Sequence, residues 1–255
     1  MIKVRPKKYL GQHFLTDLQT IKEISNLITC HNKTNILEVG PGTGNLTEHL
    51  IPKTKNLKLV EIDSDCVQYL LKHFPAIKNN LIQEDFLKLD LRNLFLSQFI
   101  IVGNFPYNIS SQILFHILKY KNLVHEIIGM FQKEVADRLI ANKGSKRGVL
   151  SVLMQSFYDV EECMTIGQEA FAPPPKVQSK VVKFTRNKRK ELSCDKELFT
   201  RIVKSGFNQK RKTLRNALKS FSLSNKTDLD CLLKKRAEEL STDDFIKITL
   251  HAKKN

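Results

Sequence analysis

The sequence predicts an α/β protein in which a doubly wound, mostly parallel sheet is followed by a small all-α appendage. Between residues 35 and 132, short apolar runs alternate with stretches of helical periodicity, a pattern typical of parallel strands joined by helices. The first run leads into a glycine-rich turn, and beyond residue 186 only short helical stretches follow. We therefore expect two domains, residues 1–186 and residues 187–255.

The first predicted element is a helix over residues 17–29. Thr16 and Gln19 have the spacing of a capping box, and apolar residues from Ile21 to Ile28 follow at helical intervals. The strands predicted after it cover residues 35–40, 57–63, 80–85, 99–104 and 126–132. The predicted helices among and after these strands cover residues 44–51, 64–74, 110–120, 133–142 and 148–158.

Two further strands, over residues 160–167 and 177–185, are expected to form a hairpin-like edge of the sheet, joined by a loop that contains three consecutive prolines. The charged run at residues 186–190 is a plausible linker. Beyond it the predicted helices cover residues 195–207, 209–221, 227–234 and 242–252.

The net charge of +16 is concentrated in the last third of the chain. From Lys176 onward there are 22 basic and 9 acidic residues, against 20 and 17 before it. A basic appendage beside a nearly neutral domain indicates a polyanionic partner, although a solvated lysine-rich surface would look the same.

The five cysteines are scattered and form no Cys-x-x-Cys pair, which argues for a reducing compartment and against disulfides or a thiolate zinc site. No apolar segment approaches the roughly 20 residues that span a bilayer. The basic amino terminus has no apolar core like that of a signal peptide. We expect a cytoplasmic protein with no membrane partner and no metal.

Four successive strand ends carry the candidate binding residues. The first ends at Glu38 and turns through glycines at alternate positions, a spacing that matches neither a P-loop nor the G-x-G-x-x-G dinucleotide motif. The second places Glu61 where a carboxylate can accept both hydroxyls of a ribose, and the third places Asp85 near an adenine edge. Together they predict a slot for a cofactor that contains adenosine.

The fourth strand end is followed by a loop suited to a flat base with an exocyclic amino group. The Asn104 oxygen and a nearby main-chain carbonyl can accept two N–H bonds, and Tyr107 can stack on the base. A simple strand-ending turn would also explain Asn and Pro at these positions.

The chain resembles the ribosomal RNA adenine N6-dimethyltransferases, and most closely the bacterial small-subunit branch of that family, over essentially its whole length. The motifs that carry the resemblance are GQHFL at residues 11–15, EVGPGTG at 38–44, NFPYNIS at 104–110, QKEV at 132–135 and FAPPPKV at 171–177. The glycine motif is shared by many S-adenosylmethionine enzymes, whereas the combination of the others is highly specific. Position 13 is often Asn in the family, and Phe105 replaces a commoner Leu.

The resemblance implies a Rossmann-like, S-adenosylmethionine-dependent methyltransferase. It implies that His13 and Leu15 close over the cofactor, that Gly40 lies against its methionine part, and that Glu61 and Asp85 hold its ribose and adenine. Asn104 faces the reactive methyl, and the carbonyl of Pro106 or Phe105 accepts the second N6 hydrogen. Tyr107 and Phe171 then stack on the two faces of the target adenine.

The appendage supplies the predicted RNA contacts. A helix over residues 209–221 would bury an apolar stripe and expose Lys210, Arg211 and Arg215 to phosphates, with Lys146 and Arg147 adding to the surface. The resemblance implies a partner in small-subunit ribosomal RNA or its particle, dimethylated at two adjacent adenines of a hairpin near the 3′ end. We expect a monomer.

Three alternatives stay open at this stage. An antibiotic-resistance methylase of large-subunit RNA would share the catalytic motifs but not the long basic tail. A non-catalytic RNA-binding protein on the same fold would not need Glu61, Asp85 and Asn104. A nicotinamide dehydrogenase is disfavoured by the glycine spacing.

Overall fold

The computed structural model describes residues 4–29, 34–224 and 226–253. The chain divides into two compact units. The sheet unit comprises Met1–Ala136 and Glu161–Arg186, and the helical unit comprises Asp137–Val160 and Asn187–Asn255. The predicted boundary after residue 186 differs from this division in residues 137–160. The assignment of catalysis to residues 1–186 and of RNA recognition to residues 187–255 stays a prediction.

The strand bounds are β1 Phe14–Leu15, β2 Asn35–Val39, β3 Asn56–Glu61, β4 Leu81–Gln83, β5 Phe99–Asn104, β6 Val124–Gln132, β7 Tyr158–Ile166, β8 Phe171–Ala172 and β9 Ser179–Arg186. The main sheet has seven strands in the order β4-β3-β2-β5-β6-β9-β7. Strands β2 to β6 pair in parallel with one another, and β9 is antiparallel to β6. A separate two-residue pair joins β1 to β8.

The central strands are covered on both faces, which explains their continuous apolar sequence. From Phe99 to Val102, every side chain of β5 is fully buried. The helices of the sheet unit are α1 Leu18–Leu27, α2 Thr47–Leu50, α3 Ser64–His73 and α4 Ser110–Lys119, and α5 Lys133–Ile140 continues from this unit into the next. The predicted doubly wound α/β architecture is confirmed.

The predicted capping box of the first helix is wrong. Asp17, not Thr16, is the N-cap of α1, and its carboxylate accepts the Thr20 N–H at 2.8 Å. The Thr16 hydroxyl and N–H both donate to the Ala170 carbonyl instead. The chain just before α1 is therefore fixed by a long-range contact that local spacing does not reveal.

The helical unit is built from short helices around an apolar core. Their bounds are α6 Val149–Gln155, α7 Lys196–Asn208, α8 Leu214–Ala217, α9 Lys226–Leu233 and α10 Thr242–Leu250. Phe199, Phe207 and Phe245 are buried in this core. A two-residue antiparallel pair, β10 Ser222–Leu223 and β11 Ala252–Lys253, means that the unit is not strictly all-α.

The predicted helix over residues 209–221 is mostly absent. Helix α7 ends at Asn208, and within residues 209–221 only Leu214–Ala217 is α-helical. The Leu214 N–H donates to the Lys235 carbonyl, and Gly206 packs so closely that an added Cβ would lie 2.9 Å from the Leu214 side chain. Leu214 is therefore buried through a turn of the chain after α7, and not through one face of a long helix.

Candidate active site

Four strand ends of the sheet unit meet around one cavity of about 250 Å³. Because β2, β3, β4 and β5 are parallel, their carboxyl ends share one edge of the sheet. The residues at these ends that line the cavity are Gly40, Glu61, Asp85 and Asn104. The amino-terminal segment from Tyr9 to Phe14 lines it as well.

Glycines bring these strand ends close together. Gly42 has φ +58°, and an added Cβ would lie 2.8 Å from the Phe14 ring. At Gly103, an added Cβ would lie 2.3 Å from the Val39 carbonyl oxygen. Side chains at these positions would separate the turn from Phe14 and β5 from the end of β2.

The Glu61 carboxylate is buried and fixed by main-chain donors. Its Oε2 accepts the Gly42 N–H at 3.0 Å, and its Oε1 accepts the Asp63 N–H at 2.9 Å. Burial raises the pKa of Glu61, against the lowering effect of these hydrogen bonds. Because an ionised carboxylate has about four acceptor positions, it can accept a further donor from a ligand.

Glu38 is a second buried carboxyl beside the same turn. The Thr47 hydroxyl donates to its Oε2 at 2.7 Å. Burial raises the pKa of Glu38 to about 8, and the nearby charge of Glu61 adds to this effect. Glu38 also lines a small adjoining cavity of about 40 Å³, together with Leu15 and Asn104.

The Asn104 amide is oriented by the amino-terminal segment. Its Nδ2 donates to the main-chain carbonyl of His13 at 2.6 Å. This contact assigns the two ends of the amide and leaves Oδ1 to accept a donor from a ligand. The main-chain contact at position 13 does not depend on the side chain found there.

Tyr107 is held at the same end of the cavity. Its hydroxyl lies 2.5 Å from Ser179 Oγ, and burial raises its pKa. Its ring stacks with the His13 ring, with centroids 5.5 Å apart and planes at 23°. His13 Nδ1 lies 2.8 Å from the carbonyl oxygen of Pro173.

The sequence did not predict how the amino-terminal segment is fastened. The Lys7 ammonium forms ion pairs with Asp63 and Asp65, the latter at 2.8 Å. The Gln12 amide nitrogen donates to Asp63 Oδ2 at 2.8 Å, and its oxygen accepts the Lys7 N–H at 2.8 Å. The segment is therefore tied to the start of α3, 51 to 56 residues away in sequence.

The structure brings seven of the nine residues predicted for catalysis and cofactor binding to the large cavity. They are His13, Gly40, Glu61, Asp85, Asn104, Pro106 and Tyr107. Leu15 and Phe171 do not line it. They pair with each other across β1 and β8, and their side chains are buried in the core of the sheet unit. Phe171 is only 3% exposed, so its ring does not present a face to a base in this structure.

Of the predicted RNA contacts in the helical unit, Arg147 is contradicted by the structure. It is 2% exposed, its Nε has no hydrogen-bond partner, and burial lowers its pKa. Lys146 is exposed and pairs with Asp137 at 2.7 Å, and Arg215 pairs with Asp230. Lys210 and Arg211 are both exposed, and Lys210 lies 6.0 Å above the Phe207 ring.

Over the described ranges, no group of His, Cys, Asp and Glu side chains is arranged to hold a metal ion. Within the same residues, no helix is both long and apolar enough to cross a membrane.

The burial of Glu38 predicts a loss of stability as the pH rises. The unfolded chain releases this proton near pH 4.5, whereas the folded chain keeps it until about pH 8. Between these values the folded state binds more protons, so the free energy of unfolding falls by several kcal/mol as the pH rises. Glu38→Gln keeps a neutral acceptor for Thr47, and we expect it to match the parent at pH 5 and to exceed its stability at pH 9.

Urea unfolding at the two pH values measures this difference. Part of the pH dependence will remain in the variant, because the pKa of Glu61 is raised as well. Glu48→Gln is the matched control, since Glu48 is exposed on the neighbouring helix and should leave the pH dependence unchanged. If Glu38→Gln and its parent lost the same stability between pH 5 and pH 9, the Glu38 carboxyl would not be the cause of the pH dependence.

Comparison with known proteins identifies relatives over nearly the whole chain. The family described as "Ribosomal RNA adenine dimethylase" matches residues 4–254. The "Ribosomal RNA small subunit methyltransferase A" of Parabacteroides distasonis is 50% identical over 254 residues, covering 99% of this chain and 96% of that protein. The protein of the same name from Cytophaga hutchinsonii is 48% identical over 253 residues, covering 98% of each.

Solved structures agree with this match. A dimethyladenosine transferase from Plasmodium falciparum has a TM-score of 0.80 at 27% identity, over 93% of this chain and 96% of that one. The 23S rRNA methyltransferase ErmE has a TM-score of 0.72 at 21% identity, over 93% and 98% of the two chains, a likeness that shows the fold alone. The predicted Rossmann-like methyltransferase fold is confirmed, and the chain belongs to the ribosomal RNA adenine dimethylase family.

Proposed function

We propose that this protein transfers methyl groups from S-adenosylmethionine to the N6 atoms of adenines in small-subunit ribosomal RNA. Its family and the names of its relatives support the reaction and the substrate class. The observation that carries the proposal is the Asn104 amide, which lines the cavity while its nitrogen is bonded to the His13 carbonyl. The targets, by resemblance, are two adjacent adenines of a hairpin near the 3′ end of that RNA.

The residues around the cavity fit this cofactor. Glu61 is placed to accept from the ribose hydroxyls, and Asp85 uses Oδ1 for the Leu87 N–H at 2.9 Å and keeps Oδ2 for the adenine edge. An added Cβ at Gly40 would meet nothing within 4 Å, so this turn borders open space for the methionine part. When bound, the cofactor supplies a methyl group activated by a sulfonium.

The loop after β5 positions the nucleophile. The N6 lone pair of adenine is delocalised into the ring, which makes the amino group a poor nucleophile. Asn104 Oδ1 and the main-chain carbonyl of Pro106 or Phe105 accept the two N6 hydrogens and favour a pyramidal nitrogen. The lone pair would form the N–C bond to the methyl group as the bond between that methyl and the sulfonium sulfur breaks, which would leave a neutral thioether, and N6 would release a proton after transfer. Positioning and electrostatics carry the rate, without a strong general base.

Tyr107 supplies the stacking surface for the target base. Such stacking is worth about 1–3 kcal/mol per base. Phe171 acts differently from the sequence expectation: its buried ring supports the β1–β8 pair, and thereby the main chain at position 13, without touching the base. Since N6 keeps one hydrogen and its lone pair after the first transfer, the same acceptors can present it for a second.

The helical unit contributes affinity for the RNA backbone. Lys210 and Arg211 are exposed in the turn that follows α7, where they can bind phosphates. Arg147 is withdrawn from this role because it is buried. A cavity that binds a single base cannot distinguish one RNA from another. We therefore assign the selection of the RNA to exposed basic residues such as Lys210 and Arg211.

Methyl transfer from labelled S-adenosylmethionine to unmodified small ribosomal subunits tests the proposed function. We expect incorporation into small subunits and none into large subunits, with N6,N6-dimethyladenosine recovered after nuclease digestion and mass spectrometry. Incorporation into large subunits would favour the resistance-type reaction. Cofactor binding without transfer to either subunit would favour the non-catalytic RNA-binding protein.

Asn104→Ala should abolish transfer while it leaves the cofactor in place. We expect the single-turnover rate to fall by at least about 100-fold, because the N6 acceptor is lost. The dissociation constant for S-adenosylmethionine, measured by calorimetry, should change by less than about 5-fold. The control is Asn26→Ala, which removes an exposed amide from α1, outside the residues that line the cavity. A variant at position 104 with near-normal turnover would refute the role of the amide.

Removal of the charges at Lys210 and Arg211 should weaken RNA binding and reduce its dependence on salt. Each lost phosphate contact lowers the slope of log K against log salt concentration by about 0.7–0.9. The double variant Lys210→Gln/Arg211→Gln is compared with Lys55→Gln/Lys78→Gln, which removes two exposed charges next to the amino ends of β3 and β4. Equal slopes in the two double variants would remove Lys210 and Arg211 from the RNA surface.

A further inference from the structure

The His13 ring occupies a face of Tyr107, the residue to which we assign base stacking. The two rings are 5.5 Å apart between centroids and 23° from parallel. A base that stacks between two aromatic rings needs far more separation than this. In the structure, an adenine therefore cannot lie between His13 and Tyr107.

The hydrogen bond to Pro173 fixes how the imidazole is held. A carbonyl oxygen can only accept, so His13 Nδ1 carries the hydrogen and donates it at 2.8 Å. Stacking and this hydrogen bond together hold the ring over Tyr107. The main chain of the same residue is held separately, through the bond from Asn104 to its carbonyl.

The cavity is small for the two ligands that the proposed reaction needs. At about 250 Å³, it lies below the 300–1,000 Å³ typical of pockets for single small ligands. The proposed reaction requires it to hold S-adenosylmethionine and a nucleobase at the same time. His13 lines the cavity together with Tyr107, and among the residues that the structure describes its ring is held by one hydrogen bond and one ring contact.

We propose that His13 is a gate in front of Tyr107: its planar ring occupies the place of the target adenine and leaves it when the base enters. This inference rests on the proposed function and adds a residue that sets which bases gain entry. A base must replace both the stacking and the Pro173 hydrogen bond of the ring. An RNA that fixes its adenine at the slot can do so, whereas a free nucleoside gains too little.

The gate predicts that loss of the ring strengthens RNA binding. His13→Asn keeps the main-chain carbonyl for Asn104 but has no ring to stack. With the inactive product S-adenosylhomocysteine bound, we expect its dissociation constant for the target RNA hairpin to fall about 3- to 10-fold, the equivalent of one net hydrogen bond. Its affinity for S-adenosylhomocysteine should stay within about 2-fold of the parent.

Two further variants separate the gate from a supporting role. In a Tyr107→Ala background, His13→Asn should bring no gain, because there is no ring face to compete for. His13→Phe can stack but cannot bond to Pro173, so its RNA affinity should lie between those of the parent and His13→Asn. The resonances of the His13 imidazole, shifted by the Tyr107 ring in the free protein, should lose that shift when RNA binds to the parent protein.

The outcomes distinguish this inference from the proposed function. If the parent protein transfers no methyl groups, the proposed function fails. If it does transfer them, and His13→Asn binds RNA no more tightly than the parent, or the His13 resonances keep their ring shift in the complex, the gate is refuted. Tighter binding that persists without Tyr107 would also refute it.

Discussion

The hydrogen bond from the Asn104 amide to the His13 carbonyl is the contact on which the site depends. It joins the end of a buried strand to a segment 91 residues earlier in the chain, and it assigns the amide nitrogen to the protein and the amide oxygen to the proposed contact with the base. The segment is itself fastened at Lys7 and Gln12 to Asp63, and at Phe14 and Leu15 to β8. One polar side chain is thus oriented by contacts from three parts of the sheet unit.

Two buried carboxyls, Glu38 and Glu61, place an electrostatic constraint on the same turn. Burial of an ionised group is unfavourable, and the two carboxyls differ in the hydrogen-bond donors that offset this cost. Glu61 accepts two main-chain N–H groups, which favour its ionised form, whereas Glu38 has one hydroxyl donor and a pKa of about 8. A neutral Glu38 places no second negative charge beside Glu61, the carboxyl that we propose as the acceptor for a ribose.

The sequence predicted most of the sheet unit, because strand ends and turn glycines are local signals. Glu61, Asp85 and Asn104 were found from their positions after apolar runs, and the structure places all three around one cavity. Burial was not predictable in the same way. Phe171 and Arg147 occupy motif or loop positions that look exposed in sequence, but Phe171 belongs to the core of the sheet unit and Arg147 is buried. The Lys7–Asp63 ion pair joins residues 56 apart in sequence, so no local sequence pattern predicts it.

An amide at position 104 satisfies a requirement that a carboxylate would not. The His13 carbonyl needs a donor, and an ionised Asp offers only acceptors, so the two groups would repel each other and the segment would lose its anchor. In the proposed reaction, a negative charge here would also stabilise the cationic cofactor before transfer more than in the transition state, in which that positive charge diminishes. The neutral amide avoids both effects: it donates to the protein and accepts from the base.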